Sequence, residues 1–402
     1  MKRIMVFFIL LGLLSGCTVA EPAPAPQPQN PSIQASRLQI QSMREFAQRS
    51  AAEFFRDSTK NENYSPLSLS MALSMLLQGA EGQTRDEILT VLGFEGADIE
   101  EVNQVMTNLM DAFSQESEEG TLLIGNAVFS EERFPMKDSF IKKMEQDYRA
   151  FAQSLPLKEK SSVGRINEFI SEHTADKIQN AYDPSPNSED VLLLINTLYA
   201  DLPWYMPFSE ELTKPAIFYA PDGQIETPFM NKEVHSSYED KEFYRSASLI
   251  LGKDMQMTFV LPKEGLSPQD LLLKEGFLAH LGDDGQYSQL SWSIPKFSFE
   301  TTLDLKNQLK ELGMKRAFET DAQFPGISDI PTMVSSVIQN TYVDLTEEGV
   351  EAAAATIIAV APTSAPPANP IPFVLNRPFL YLIESKEGVI CFMGIVQNPS
   401  TK

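Results

Sequence analysis

Between residues 36 and about 58, apolar side chains recur at steps of three and four: Met43, Phe46, Ala47, Ala51, Phe54 and Phe55. That spacing matches the helical turn, puts all six on one face and predicts an amphipathic helix. Ser65-Pro66 predicts the start of a second helix, because proline suits the first turn, where no N–H is needed. Thr84-Arg85-Asp86-Glu87 reads as a capping box opening a third. Helical periodicity continues near 98–115, 136–148 and 162–182. Strand-like runs fall at 122–129, 191–199, 248–251, 257–261, 293–299 and 333–345, and the last third of the chain alternates strands with turns. Helices mostly first and strands mostly last predict an α+β class.

The segment 346–372 follows neither period. Val350 to Ala361 is small and β-compatible and includes four consecutive alanines, Ala352, Ala353, Ala354 and Ala355. Pro362, Pro366, Pro367, Pro370 and Pro372 follow, and proline cannot donate to a central ladder. A connection this long inside a domain is functional or disordered.

The amino-terminal end has its own pattern. Lys2 and Arg3 precede an apolar run from Ile4 to Leu14, too short to span a bilayer as a helix. Leu14-Ser15-Gly16-Cys17 is similar to the lipobox of bacterial lipoproteins. The resemblance implies cleavage before Cys17 and lipid on its sulfur and new amine, enough acyl chains for firm anchoring. Residues 18–35 carry proline at alternate positions and predict an extended polyproline spacer. The expected organisation is therefore a signal peptide over 1–16, a lipidated cysteine and proline-rich linker over 17–35, and one folded domain over 36–402. Thr18 stands where an aspartate would retain a lipoprotein at the inner membrane under the enterobacterial sorting rule. The expected location is thus the outer membrane, facing the periplasm or the surface.

Charge and composition narrow the function. The chain of 402 residues holds 55 acids against 32 bases, a net charge of −23. Nucleic acid is excluded as a partner, because phosphate binding needs clustered cations. There are two cysteines, so lipidation of Cys17 leaves no disulfide for Cys391, which reads as a buried inert thiol in the apolar run 388–393. The histidines are His173, His235 and His280, and the chain has no G-x-S-x-G, H-E-x-x-H or C-x-x-C motif. A catalytic nucleophile with its base is not legible, and the chain is read as a non-enzyme with no metal and no cofactor.

Glu347-Glu348-Gly349-Val350-Glu351 followed by Ala352-Ala353-Ala354-Ala355 resembles the hinge of the serpin reactive-centre loop. Phe373 to Ile383 is similar to the family signature, and Gly394 to Pro399 to its last strand. Asn61, Ser65-Pro66-Leu67-Ser68, Asn196 with Trp204 and Phe208, Ile294 to Phe297, Leu303 to Leu305 and Leu312-Gly313 fit in order. The resemblance covers about 36–400. It implies one domain with three β-sheets, eight to nine helices and an exposed reactive-centre loop at about 347–372. It also implies a suicide inhibitor of serine proteases, acting as a monomer. The target forms an acyl-enzyme on the loop, and the freed loop inserts into the central sheet. Cysteine-protease inhibition and a non-inhibitory carrier or chaperone are the alternatives; the small alanine run argues against the second. The acidic stretch 98–119 leaves no glycosaminoglycan site evident.

The resemblance also assigns residues. Counting from Glu347 puts the scissile bond between Thr363 and Ser364. Counting back from Asn376 points near Pro367 instead, which would require Pro362 and Pro366 to enter the sheet; the upstream count is preferred. Val360-Ala361-Pro362-Thr363 offers no cation to a trypsin-like pocket and suits an elastase-like or subtilisin-like one. Ser65, Ser68 and Asn196 belong to the cluster where the sheet opens, with Gln339 in place of the usual histidine. Trp204 and Lys296 belong to the upper sheet, Lys296 as partner of Glu347. Val350 replaces the usual Thr or Ser, and Ala200 and Leu202 replace the usual aromatic and glycine. No proline lies among the 12 residues from Val350 to Ala361, so they can form an added strand of about 40 Å at ~3.3 Å each.

Cys17→Ser is expected to abolish labelling with radioactive fatty acid and to release the protein from membranes. Retained label on the variant would exclude the lipobox reading.

Overall fold

Ser36 opens the first helix, α1 Arg37–Phe54, through a complete capping box: the Gln39 N–H donates to Ser36 Oγ (3.2 Å) and the Ser36 N–H donates to Gln39 Oε1 (2.8 Å). Met43, Phe46, Ala47, Ala51, Phe54 and Phe55 are all buried, as their spacing predicts. The computed structural model describes residues 35–114, 120–184, 190–252, 254–351 and 369–401. They fall in one unit, Ile33–Lys402. Further helices are α2 Pro66–Leu77, α3 Gly82–Leu92, α4 Ile99–Phe113, α5 Asp138–Tyr148, α6 Lys160–Glu172, α7 Pro268–Leu272, α8 Phe277–His280 and α9 Lys306–Glu311, nine among the described residues. Every residue of α2 is buried, with Pro66 in its first turn and Ser65 as its cap.

Two local expectations fail. Helix α3 starts before Thr84, at Glu81 as N-cap. Thr84 does not cap it; its hydroxyl accepts from the Gln323 N–H (3.0 Å), a tertiary bond that competes with the local box. The expected helix over 162–182 ends at Glu172, because Ala175 and Asp176 take left-handed backbone (φ 47° and 61°).

The strands are β1 Glu62–Tyr64, β2 Thr121–Glu131, β3 Phe151–Leu155, β4 Leu192–Pro203, β5 Lys214–Ala220, β6 Gly223–Asp240, β7 Tyr244–Ile250, β8 Met255–Pro262, β9 Gln286–Pro295, β10 Phe297–Asp304, β11 Val334–Leu345, β12 Gly349–Val350, β13 Ile371–Val374, β14 Phe379–Ser385 and β15 Ile390–Val396. Six form the central sheet in the order β10-β11-β12-β4-β2-β3. The others form a nine-stranded sheet, β1-β15-β14-β8-β7-β6-β9-β13, with β5 also on β6. The second and third expected sheets are thus joined. Strand β6 is 18 residues long and pairs with β5 at one end, β9 along its middle and β7 at the other. The α+β class stands.

The central sheet is covered on both faces. One face meets α2 and the main core; on the other, Phe129, Ile195 and Ile338 pack with Ile166, Phe169 and Ile170 of α6. Strand β4 is accordingly buried along nearly its whole length and reads as a continuous apolar run rather than an alternating one. Cys391 is fully buried in β15.

Candidate functional site

The central sheet is incomplete at one end. Strands β4 and β11 run parallel and pair from Leu192 and Val334 to Leu198 and Thr341. Beyond those residues each continues toward Pro203 and Leu345 without pairing to the other. The short strand β12 fills the mouth between them, antiparallel to both: Val350 lies opposite Leu345 on one side and Leu202 on the other, and Gly349 opposite Pro203. Val350 is 1% exposed and joins the main core. The Thr346 N–H donates to Gly349 O (2.9 Å), which turns the chain from β11 into β12.

Gly349 has a steric reason to be glycine. Its φ is 149°, and a Cβ there would lie 2.3 Å from Leu202 O and 2.7 Å from Pro203 Cα.

Five hydrogen bonds pin the turn ahead of β12. The Trp204 indole donates to Thr346 O (3.0 Å) and its backbone N–H to Glu348 O (2.9 Å). The Phe208 N–H donates to Glu347 O (2.9 Å). Lys296 donates to Glu347 Oε2 (2.6 Å) and the Thr213 hydroxyl to Glu347 Oε1 (2.7 Å). Burial pushes the Glu347 carboxyl up, but the bonds from Lys296 and Thr213 outweigh it and hold the group below the ordinary carboxylate range. A depressed carboxyl contributes stability above its ordinary pKa and loses it as pH falls through the depressed value.

A second polar group crosses the sheet lower down. Register places Asn126, Asn196 and Gln339 side by side on β2, β4 and β11. Gln339 donates to Asn196 Oδ1 (2.6 Å) and Ser65 O (3.0 Å), and accepts from the Ser65 N–H (2.7 Å). Asn196 donates to Asn126 Oδ1 (2.7 Å) and Ser68 O (3.1 Å) and contacts the Ser68 hydroxyl; the Ser68 N–H donates to Ser65 Oγ (3.0 Å). Glutamine serves here because its amide both donates and accepts. All five side chains are buried.

The structure therefore brings Ser65, Ser68, Asn196 and Gln339 together, and separately Trp204, Lys296, Glu347, Gly349 and Val350. Glu351 follows directly. The rest of the expected hinge, Ala352, Ala353, Ala354 and Ala355, lies outside the described residues, as do Thr363, Ser364 and Cys17. Chain after the loop is described from Asn369, and β13 pairs parallel to β9. Sequence reasoning missed Asn126 and Thr213. An asparagine inside the apolar run of β2 was a usable signal for the first; nothing local marks the second.

The family model described as Serpin (serine protease inhibitor) matches residues 41–399. Serpin-Z1C of Triticum aestivum is 31% identical over 393 residues, covering 90% of this chain and 97% of that protein. Among solved structures, Serpin48 of the insect Tenebrio molitor superposes with a TM-score of 0.81 at 29% identity, covering 91% of this chain and 99% of that one. The thermophilic serpin Tengpin in its native state gives 0.83 at 26%, covering 90% and 95%.

Gly349→Ala is expected to expel β12 from the sheet mouth, seen as lost hydrogen-exchange protection at Val350 and a drop of about 1–3 kcal/mol in unfolding free energy. Unchanged protection would mean that the mouth can widen to take a side chain. Lys296→Met is expected to cost about 1–2 kcal/mol near neutral pH, with the difference from the parent vanishing as Glu347 protonates in acid. Urea melts across pH measure this; a pH-independent difference would show that Lys296 acts by packing alone.

Proposed function

The chain belongs to the serpin family, whose members are mostly protease inhibitors rather than enzymes, and we propose that it traps serine endopeptidases by cleavage and insertion of its loop. The observation that carries the reading is the Gly349-Val350 strand seated between β4 and β11, whose own pairing to each other stops at Leu198 and Thr341.

The target's serine oxygen attacks the carbonyl carbon of Thr363. The Thr363–Ser364 C–N bond breaks, the Ser364 nitrogen leaves as an amine with a proton from the target's histidine, and an ester links Thr363 to the target. The freed strand then follows Val350 into the sheet as an added strand. Upper β4 and β11 offer N–H and C=O groups that such a strand would satisfy. Extending the register of Val350 brings Ala354 level with Leu198 and Thr341, where β4 and β11 must start to part. Two residues on, Thr356 arrives between Asn196 and Gln339. A hydroxyl there replaces the amide bond that insertion breaks, so strand separation at this level exchanges hydrogen bonds instead of losing them. Serine–ester hydrolysis competes with insertion, and the outcome depends on which is faster.

The small residues Val360 to Thr363 favour elastase-like or subtilisin-like targets. We also propose that Cys17 carries lipid and tethers a monomeric inhibitor domain to the outer membrane, where it meets proteases.

Incubation with a panel of serine proteases is expected to give denaturant-resistant complexes with elastase-like enzymes and a released peptide beginning at Ser364. Val350→Arg would bury a charge at the first inserted position, at a cost of several kcal/mol. Each ~1.4 kcal/mol added to the insertion barrier slows it about tenfold, so this variant should be cleaved as a substrate without trapping. Equal trapping by Val350→Arg and the parent would rule out insertion as the mechanism.

A further inference from the structure

Glu351 is the last described residue before the loop, and its surroundings differ from those of Glu347. Its N–H donates to Asp344 O (2.7 Å), so it stands level with Asp344 on β11. The register of Val350 against Leu202 likewise sets it level with Asp201 on β4. Val350 points into the main core, so Glu351 points to the opposite face of the sheet, the face that α6 covers. Three carboxylates thus lie in one row across three neighbouring strands. Like charges directly opposite one another in a sheet repel.

Among the described residues, one cation meets this row. Lys177, in the segment after α6, forms an ion pair with Glu351 and lies 5.6 Å above the Tyr342 ring. The Glu351 side chain is 8% exposed and that of Lys177 40%. Among the described residues, the other titratable groups that act on Glu351 or are acted on by it are Asp201 and Tyr199 from β4 and Asp344 from β11, while Tyr342 lies beneath Lys177. Glu351 also has a left-handed backbone (φ 53°), the conformation in which the chain turns at the end of β12.

We propose that Lys177 is a positioning residue for the hinge: by neutralising Glu351 it allows the loop to occupy the sheet mouth, and to begin insertion, at neutral pH. The second half of this statement rests on the insertion reading above; the first does not. Burial pushes the Glu351 carboxyl up, Lys177 opposes that rise, and Asp344 and Asp201 add to it. The Asp201 carboxyl is raised by burial too, again opposed by Lys177. The sign follows. A carboxyl whose pKa is raised in the docked hinge favours docking while protonated, and that contribution fades as pH rises through the raised value. Without Lys177 the rise is larger, and docking weakens at a pH where the parent is still docked. Glu347 has the opposite sign, so the two glutamates of the hinge are separable by pH.

Hydrogen exchange on the full chain without protease reads docking directly, as the protection factors of the Val350 and Glu351 amides. Lys177→Met is expected to lower both about tenfold near pH 7.5 and to match the parent near pH 5. Lys177→Arg should follow the parent throughout. Lys177→Met combined with Glu351→Gln should restore protection and remove the pH dependence. Full protection of Lys177→Met near pH 7.5, a loss that persists near pH 5, or failure of the double variant to restore protection would each overturn the proposal. Protease trapping is measured on the same proteins. If the parent traps no protease while the exchange pattern is as expected, the insertion reading fails and the docking role of Lys177 stands.

Discussion

Strands β4 and β11 stop pairing at Leu198 and Thr341 although both continue for several residues. Buried backbone N–H and C=O groups need partners, so the ends of these strands demand something between them. In the resting molecule β12 supplies two residues. The turn at Thr346 to Glu348, the grip of Trp204 on it, the glycine at 349 and the buried valine at 350 all serve that short insertion. A parallel pair is somewhat less stable per residue than an antiparallel one. A strand that entered antiparallel to both neighbours would therefore replace one weaker ladder with two stronger ones.

The polar groups in this sheet stand in rows that cross neighbouring strands at one level. Asn126, Asn196 and Gln339 sit in one row, bonded to the start of α2 rather than packed apolar against it. An apolar row at this level would resist separation through packing alone, with nothing to exchange. Higher up, Glu347 and Glu351 sit four residues apart and have opposite environments. Glu347 has a lysine and a threonine and is held ionised. Glu351 has a lysine and two aspartates level with it, and burial dominates. The first anchors the turn outside the sheet; the second stands in the row of carboxylates that crosses it.

The nine-stranded sheet completes the frame. Arg44 of α1 donates to Glu384 of β14 at 2.7 Å in a buried ion pair, and Glu384 also accepts from Thr258 of β8 (2.8 Å). Such a pair is strongly destabilising to break, because the remaining charge stays buried. It ties the first helix to β14, and through Glu384 to β8.

Much of this architecture was written locally. The periodicity of α1, the Ser65-Pro66 start of α2, the apolar run of β4 and the ordered motifs from Asn61 to Pro399 specify helices, strands and family by short-range rules: side-chain period, proline's missing N–H and turn chemistry. Short-range rules failed where a distant partner competed, as when Gln323 took the Thr84 hydroxyl from its expected cap. The site's finer parts were decided entirely by tertiary structure. Thr213 reaches Glu347 across 134 residues, and nothing in the sequence marks that meeting; Gln339 reaches Asn196 across 143, a meeting that the family resemblance implied and no local rule encodes. Lys177 reads in sequence as one more lysine beyond a helix; only the register that aligns Asp201, Glu351 and Asp344 makes it the counter-charge of the hinge. Local sequence sets which backbone shapes are cheap. Which charges face each other depends on how strands far apart in the chain come into register, and that is settled by burial of the whole sheet at once.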